Sequence, residues 1–274
     1  AEYEKDLHYS PYKRLTSSPL VYAAPEGVYV YEGKGTDHLR LFGHAGDYEK
    51  TIYPFPSSQI KKVIGLKWVK ALDGREMPEK ESDRHQTLLN SGNNDNDKGS
   101  DGMAGFAGSG LAVNGKRIAI AHDNLNRLAT DGSTGNLPLR GPKTAGNIMY
   151  PLMYGGSVDR KPAIIGPTSL AFSPDGKIVY LTGFMWENYG SNDNSIPAVF
   201  KMNYESNEEM SVFVGDKTVK GYGSDDSHFA VPSSVDTDAL GNVYVSDFAN
   251  NRVQVFEPSG KLLKSINVKY PAKV

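Results

Sequence analysis

The chain has 274 residues, 30 Lys and Arg against 32 Asp and Glu, a formal net charge of −2, 38% hydrophobic residues and no cysteine. The near-neutral balance removes the electrostatic basis for nucleic-acid binding, and no apolar run approaches the roughly 18 residues needed to span a bilayer. The absence of thiols excludes disulfides and cysteine-held zinc. With 16 tyrosines and 29 glycines, the composition points to many short strands joined by tight turns.

Residues 1–18 read as an N-terminal extension, and Ala1-Glu2-Tyr3 reads equally as a processed end or as the start of a fragment. A first set of strands fills 19–56. Gly27-Val28-Tyr29-Val30-Tyr31, Leu39-Arg40-Leu41-Phe42 and Tyr48-Glu49-Lys50-Thr51-Ile52 alternate at period two, with Gly43 to Gly46 as a turn. Residues 57–107 break the pattern as a long insertion. Its opening, Ile60 to Lys70, reads as an outer strand or a short amphipathic helix. A charged stretch from Arg75 to Arg84 and the Asn/Asp/Gly-rich run Asn90 to Gly102 follow.

The second set, with its loop, occupies 108–164 and contains Gly115-Lys116-Arg117-Ile118-Ala119-Ile120 and Asn126-Arg127-Leu128. The third, 165–218, runs from Pro167-Thr168-Ser169-Leu170 through Asp175-Gly176-Lys177-Ile178-Val179-Tyr180 to Met210–Val214. The fourth, 219–268, holds the clearest copy: Pro232-Ser233-Ser234-Val235, Gly241-Asn242-Val243-Tyr244-Val245, Asp247, then Asn251-Arg252-Val253-Gln254-Val255-Phe256 and Gly260. Self-alignment places Phe42 on Phe256 and Gly46 on Gly260, and Asn126-Arg127 on Asn251-Arg252. Residues 269–274 contain Pro271, 39 residues after Pro232, and read as the opening of a fifth repeat; the alternatives are a simple tail or closure by four repeats alone.

The recurring Pro-x-Ser, x-Gly-x-Val-Tyr-Val, x-Asp and Asn-Arg-Val-x-Val-Phe segments resemble the NHL repeat over about two thirds of the chain. The resemblance implies an all-β NHL-like β-propeller of four-stranded antiparallel blades, six-bladed when complete and so incomplete in this chain. Stacked blades bury one another's faces. The Gly before each Val-Tyr-Val is expected to make the hairpin from the inner strand to the second. The Asp247…Asn251-Arg252 trio is expected to close a turn and wedge between blades, an architectural role. Blade one departs from the pattern, with Asp37-His38 at the aligned positions.

In the family this resembles, one face collects the loops leading into each inner strand and those joining second to third strands. Three site readings follow. The first is ligand binding, with a saccharide, a polymer or a protein partner favoured. Its residues are Phe184, Trp186, Glu187, Tyr189, Asn192 and Asp193, since sugars need a flat apolar platform with planar polar groups beside it. The competing reading packs these aromatics on a neighbouring blade. The second is a metal-dependent lyase or hydrolase at the central channel. His122, Asp123, Asp226 and His228 are its metal candidates, although catalytic zinc needs about three protein ligands. The third is calcium on Asp95, Asp97 and Asp101, which no EF-hand register fits. Zinc or calcium is therefore the candidate cofactor. The candidate partners are the remaining part of the propeller or a partner chain, and the expected compartment is extracellular or periplasmic.

Overall fold

The computed structural model describes residues 19–32, 38–80, 110–121, 124–144, 167–183, 196–218 and 221–274. In chain order the strands are β1 (Leu20–Ala24), β2 (Gly27–Glu32), β3 (His38–Phe42), β4 (Tyr48–Tyr53), β5 (Leu66–Lys70), β6 (Glu76–Lys80), β7 (Gly110–Asn114), β8 (Arg117–Ala121) and β9 (Asn124–Ala129). They continue as β10 (Arg140–Lys143), β11 (Pro167–Phe172), β12 (Ile178–Gly183), β13 (Ala198–Asn203), β14 (Ser211–Gly215), β15 (Pro232–Thr237), β16 (Val243–Asp247), β17 (Arg252–Phe256) and β18 (Leu262–Asn267). Sixteen of these eighteen strands form four antiparallel four-stranded sheets, β1–β4, β7–β10, β11–β14 and β15–β18, each a simple meander. The first strands of successive sheets touch: β1 meets β7, β7 meets β11, and β11 meets β15. These are propeller blades stacked through their inner strands, and they are numbered 1 to 4 below.

Strand alternation explains the stacking. Along β7 and β8, Leu111, Val113, Ile118 and Ile120 enter one core with Tyr29, Leu39 and Ile52 of blade 1. The residues between them, Ala112, Ala119 and Ala121, enter another core with Leu170, Phe172, Val179 and Leu181 of blade 3. These two strands thus turn large side chains to one neighbour and small ones to the other. Blade 3 likewise sends Ala171 and Tyr180 toward Val235, Val243 and Val245 of blade 4. Each fully buried Leu, Ile or Val contributes about 1.5–3 kcal/mol.

Two glycines are fixed by geometry. Gly27 opens the inner hairpin of blade 1 at φ +148°, and a Cβ there would lie 2.2 Å from the Phe42 carbonyl oxygen. Gly110 lies against the inner strand of blade 3, where a Cβ would meet Leu170 Cγ at 2.6 Å and its backbone nitrogen at 3.1 Å. The outer turns of blades 1 and 4 have the same hydrogen bonds 214 residues apart: Gly43 N to Asp47 O (2.7 Å) and Gly46 N to Gly43 O (2.9 Å), against Glu257 N to Lys261 O and Gly260 N to Glu257 O, both 2.8 Å.

Register corrects one part of the self-alignment. Arg252 faces Asp247 in the last pair before the hairpin turn. Arg127 faces Ala119, two pairs further from its turn, because Ala121 pairs with Leu125. The turn after Asp247 is longer than the one after Ala121, so matching Asn-Arg dipeptides align different positions. Counted from the turn, Arg40 opposite Val30 and Gln254 opposite Val245 stand on the same ladder step as Arg127, but Arg127 lies with Ala119 on the face toward the following blade, whereas Gln254 lies with Val245 on the face toward the preceding one. In blade 1, Glu32 and His38 hold the positions of Asp247 and Arg252.

The start of the insertion is neither one strand nor an amphipathic helix. Ile60–Lys62 form a short 3-10 turn, and β5 pairs with β6 as a separate two-stranded sheet. Ile64 anchors it to blade 2: Leu139 N donates to Ile64 O (2.8 Å), and Ile64 N donates to Thr134 Oγ1 (3.0 Å). Among the described residues no helix is long and apolar enough to cross a membrane.

Candidate functional site at the loop face of blade 4

Residues 216–231 carry the chain from the end of β14 to the start of β15, and residues 248–251 join β16 to β17 at the same end of the blade. Asp247 ties the two segments together. Its buried carboxylate accepts from Ala230 N (2.9 Å) and Val231 N (3.1 Å) through Oδ1. Through Oδ2 it accepts from Asn250 Nδ2 (2.7 Å) and Arg252 Nε (3.0 Å). Arg252 spends its remaining donors on the carbonyls of Ser224 (2.9 Å), Asp225 (2.9 Å) and His228 (2.6 Å). A buried ion pair with nearly every proton and lone pair satisfied holds a loop in one conformation. Asn250, rather than Asn251, is the amide that joins the hub.

On this hub sits His228, at the loop surface. Its Nδ1 lies 2.8 Å from Asp225 Oδ1 and its Nε2 lies 3.3 Å from Asp216 Oδ2. The hydrogen bond to Asp225, followed by the charges of Asp225 and Asp216, raises the imidazole pKa above its ordinary value. The same bond holds Asp225 well below the usual carboxylate range. Asp216 is lowered first by the Thr218 amide, which donates to it at 2.7 Å. The result is a clasp joining the outer edge of blade 3 to the loop entering blade 4. Asp216 was missed by sequence reasoning; the Asp-x-Thr spacing of an Asx turn was its signal.

Ser227 Oγ donates to Asp225 Oδ1 (2.7 Å) and lies 3.1 Å from His228 Nδ1. Serine and aspartate therefore share one imidazole nitrogen. In a nucleophilic triad they occupy opposite nitrogens, so this cluster does not assemble one. Of the four metal candidates, His228 and Asp226 are described. Asp225 and Asp216 are the carboxylates against His228, while Asp226 offers its carbonyl to Gln254 Nε2 (3.4 Å). His122 and Asp123 lie outside the described residues, as do Phe184, Trp186, Glu187, Tyr189, Asn192, Asp193 and the acidic run with Asp95, Asp97 and Asp101. Among the described residues no group of three or more His, Asp or Glu side chains is placed to hold a metal ion.

The clasp has a pH signature. The pKa of His228 is raised on folding, so its contribution is complete below about pH 6.5 and is lost as pH rises through the higher folded value. Asp225 and Asp216 are lowered, so theirs is complete above about pH 4 and is lost only in stronger acid. The loop is thus held most firmly between these limits. Amide-exchange protection of residues 224–229, corrected for intrinsic pH dependence, is expected to fall from pH 6 to 9 in the natural sequence and to stay flat in His228→Gln. Equal profiles in the two proteins would show that the imidazole does not hold the loop.

The NHL repeat model matches residues 229–256, which span the loop end, β15, β16 and β17. Solved structures similar to this chain include the virginiamycin B lyase of Staphylococcus aureus, at 11% identity and a TM-score of 0.42, covering 94% of this chain and 73% of that one. A gluconolactonase of Xanthomonas campestris has 16% identity and a TM-score of 0.34, covering 91% of this chain and 59% of the other. A Bacteroides thetaiotaomicron protein of unknown function has 14% identity and a TM-score of 0.42, covering 92% and 62%. The chain thus spans less than two thirds of the length of the second and third.

Proposed function

For a chain that carries an NHL repeat at residues 229–256 within four stacked blades, we propose a scaffolding and ligand-binding role. The loop face meets a saccharide, polymer or protein ligand, and the free face of blade 4 takes a further blade, from the same polypeptide or from a partner chain. One observation carries the scaffolding half. At the blade 3–blade 4 junction, Val235 N donates to Ser169 Oγ (3.2 Å). Beyond blade 4, Val274 N donates to Ser234 Oγ, also at 3.2 Å. Ser169 and Ser234 hold the same position in their blades, each opposite the residue before the hairpin end of the second strand.

Pro271 is buried as Pro232 is, and Ser233 Oγ donates to the carbonyls of Pro271 (3.3 Å) and Ala272 (3.2 Å). Residues 271–274 therefore lie against β15 as β15 lies against β11. The outer strand of blade 4 leaves Leu263 (46%) and Ile266 (37%) exposed, and Val268 just after it is 39% exposed, whereas Phe213 and Val214 of blade 3 pack against blade 4. A row of apolar side chains beside a seated inner strand suits another blade. The lyase or hydrolase reading draws no support from His228, both of whose nitrogens face carboxylates. The test is thiol labelling of Leu263→Cys in the protein isolated from its source cells, where slow labelling is expected.

A further inference from the structure

We propose that Phe248 and Tyr270 form a stacking platform for a pyranose ring on the loop face of blade 4, a subsite that rests on the ligand-binding reading above and gives it a substrate class. Phe248 opens the turn between β16 and β17, and Tyr270 follows β18. Their ring centroids are 5.6 Å apart with planes tilted by 39°, and the residues are 36% and 57% exposed. Exposed aromatics are common, but this pair is held in place by unusual backbone. Among the described residues, the non-glycine positions with positive φ are Asn251 (54°) and Tyr270 (50°). The left-handed region is unfavourable for a bulky side chain, and residues kept there cluster at ligand sites.

The two strained residues hold each other. Tyr270 N donates to Asn251 Oδ1 (3.0 Å), and Val268 N donates to Asn251 O (3.0 Å). Asn250, next in the turn, donates to Gly223 O and to Asp247 Oδ2, both at 2.7 Å. The backbone that carries the two rings is thereby tied to the buried Asp247–Arg252 pair. Lys269 Nζ lies 5.5 Å from the Tyr270 ring centre, and the Asn251 amide is held beside Tyr270 by its bond to the Tyr270 backbone. An apolar shelf with an ammonium and an amide at its rim matches a sugar, whose C–H face stacks while its hydroxyls reach the rim. A nucleotide would also stack, but the exposed Asp225 and Asp226 of the adjoining loop oppose its phosphates.

Cellohexaose, whose β-1,4 linkages keep successive rings flat, is the probe. Titrated into the full chain and followed by the aromatic ring resonances of Phe248 and Tyr270, it is expected to bind saturably and to shift both. Tyr270→Gly removes the ring and relieves the backbone. It is expected to leave the melting temperature unchanged or raised while weakening cellohexaose about tenfold or more. Phe248→Ala should weaken binding similarly. The proposal is overturned by no saturation at about 1 mM sugar, by equal affinity in the variants, or by a Tyr270→Gly chain that melts lower, which would make the ring a packing element. Saturable binding that Tyr270→Gly and Phe248→Ala leave unchanged would overturn this subsite while leaving the ligand-binding reading intact, whereas no saturation at all would count against both.

Discussion

Asp247→Ala is expected to destabilise the chain by about 3–5 kcal/mol, because it leaves the buried Arg252 guanidinium without its carboxylate. The amides of Ala230 and Val231 and the side chain of Asn250 lose their acceptor as well. Against a total stability of about 5–15 kcal/mol, one substitution would remove a large share. The check is urea unfolding, with the midpoint falling and the slope unchanged. Asp247→Asn keeps one oxygen for the two loop amides and should cost less. The double variant Asp247→Ala/Arg252→Met should be less damaging than the sum of the single changes, because the stranded charge goes with its partner. A loss below about 1 kcal/mol for Asp247→Ala would mean that the loop is held chiefly by its other contacts.

The second large effect is at Arg127, fully buried and bonded to neutral oxygens alone. Its Nε donates to Pro138 O (3.0 Å) and one terminal nitrogen donates to Tyr204 O (3.3 Å) and Ser206 O (3.0 Å). The other donates to Arg140 O (3.1 Å) and Asn207 Oδ1 (2.9 Å). Burial lowers the guanidinium pKa, yet arginine remains charged under protein conditions. These bonds stitch the approach to β10 in blade 2 to the loop after β13 in blade 3. Arg127→Met strands several carbonyl groups at once and should cost about 3 kcal/mol or more, lowering the melting temperature by about 10 °C. Arg127→Lys should not rescue, since an ammonium cannot reach the same fork of acceptors. A lysine variant that melts like the natural chain would show that charge alone suffices.

These two residues also show what the sequence made legible. Blades, alternation and inner hairpins follow from short-range rules: a glycine with the right neighbours turns the chain, and period two decides which side chains face which blade. Residue identity alone could not set register across turns of unequal length. Asn126-Arg127 and Asn251-Arg252 look equivalent as dipeptides, yet Arg252 stands in the first pair after its turn and Arg127 in the third. Arg127 turns toward the following blade and Gln254, on the same step from its own turn, toward the preceding one, so only pairing and stacking together reveal which face a residue holds. At the site, the sequence points to Asp226 and His228, but Asp216 comes from the neighbouring blade and only the stacking brings it to His228. The Phe248–Tyr270 pair escaped because it depends on two left-handed residues whose conformation no local motif announces.

Labelling at position 263 most directly tests the central claim, that the free face of blade 4 receives a further blade. The chain has no cysteine, so a single Leu263→Cys reports without background, with Leu240→Cys, 83% exposed in the inner hairpin turn, as the accessible control. In the 274-residue chain alone both thiols should label rapidly. In the protein isolated from its source cells, position 263 should label far more slowly than position 240, with equal rates restored by denaturant. Equal labelling of the two positions in the native isolated protein would contradict the scaffolding role and leave blade 4 with an uncovered face.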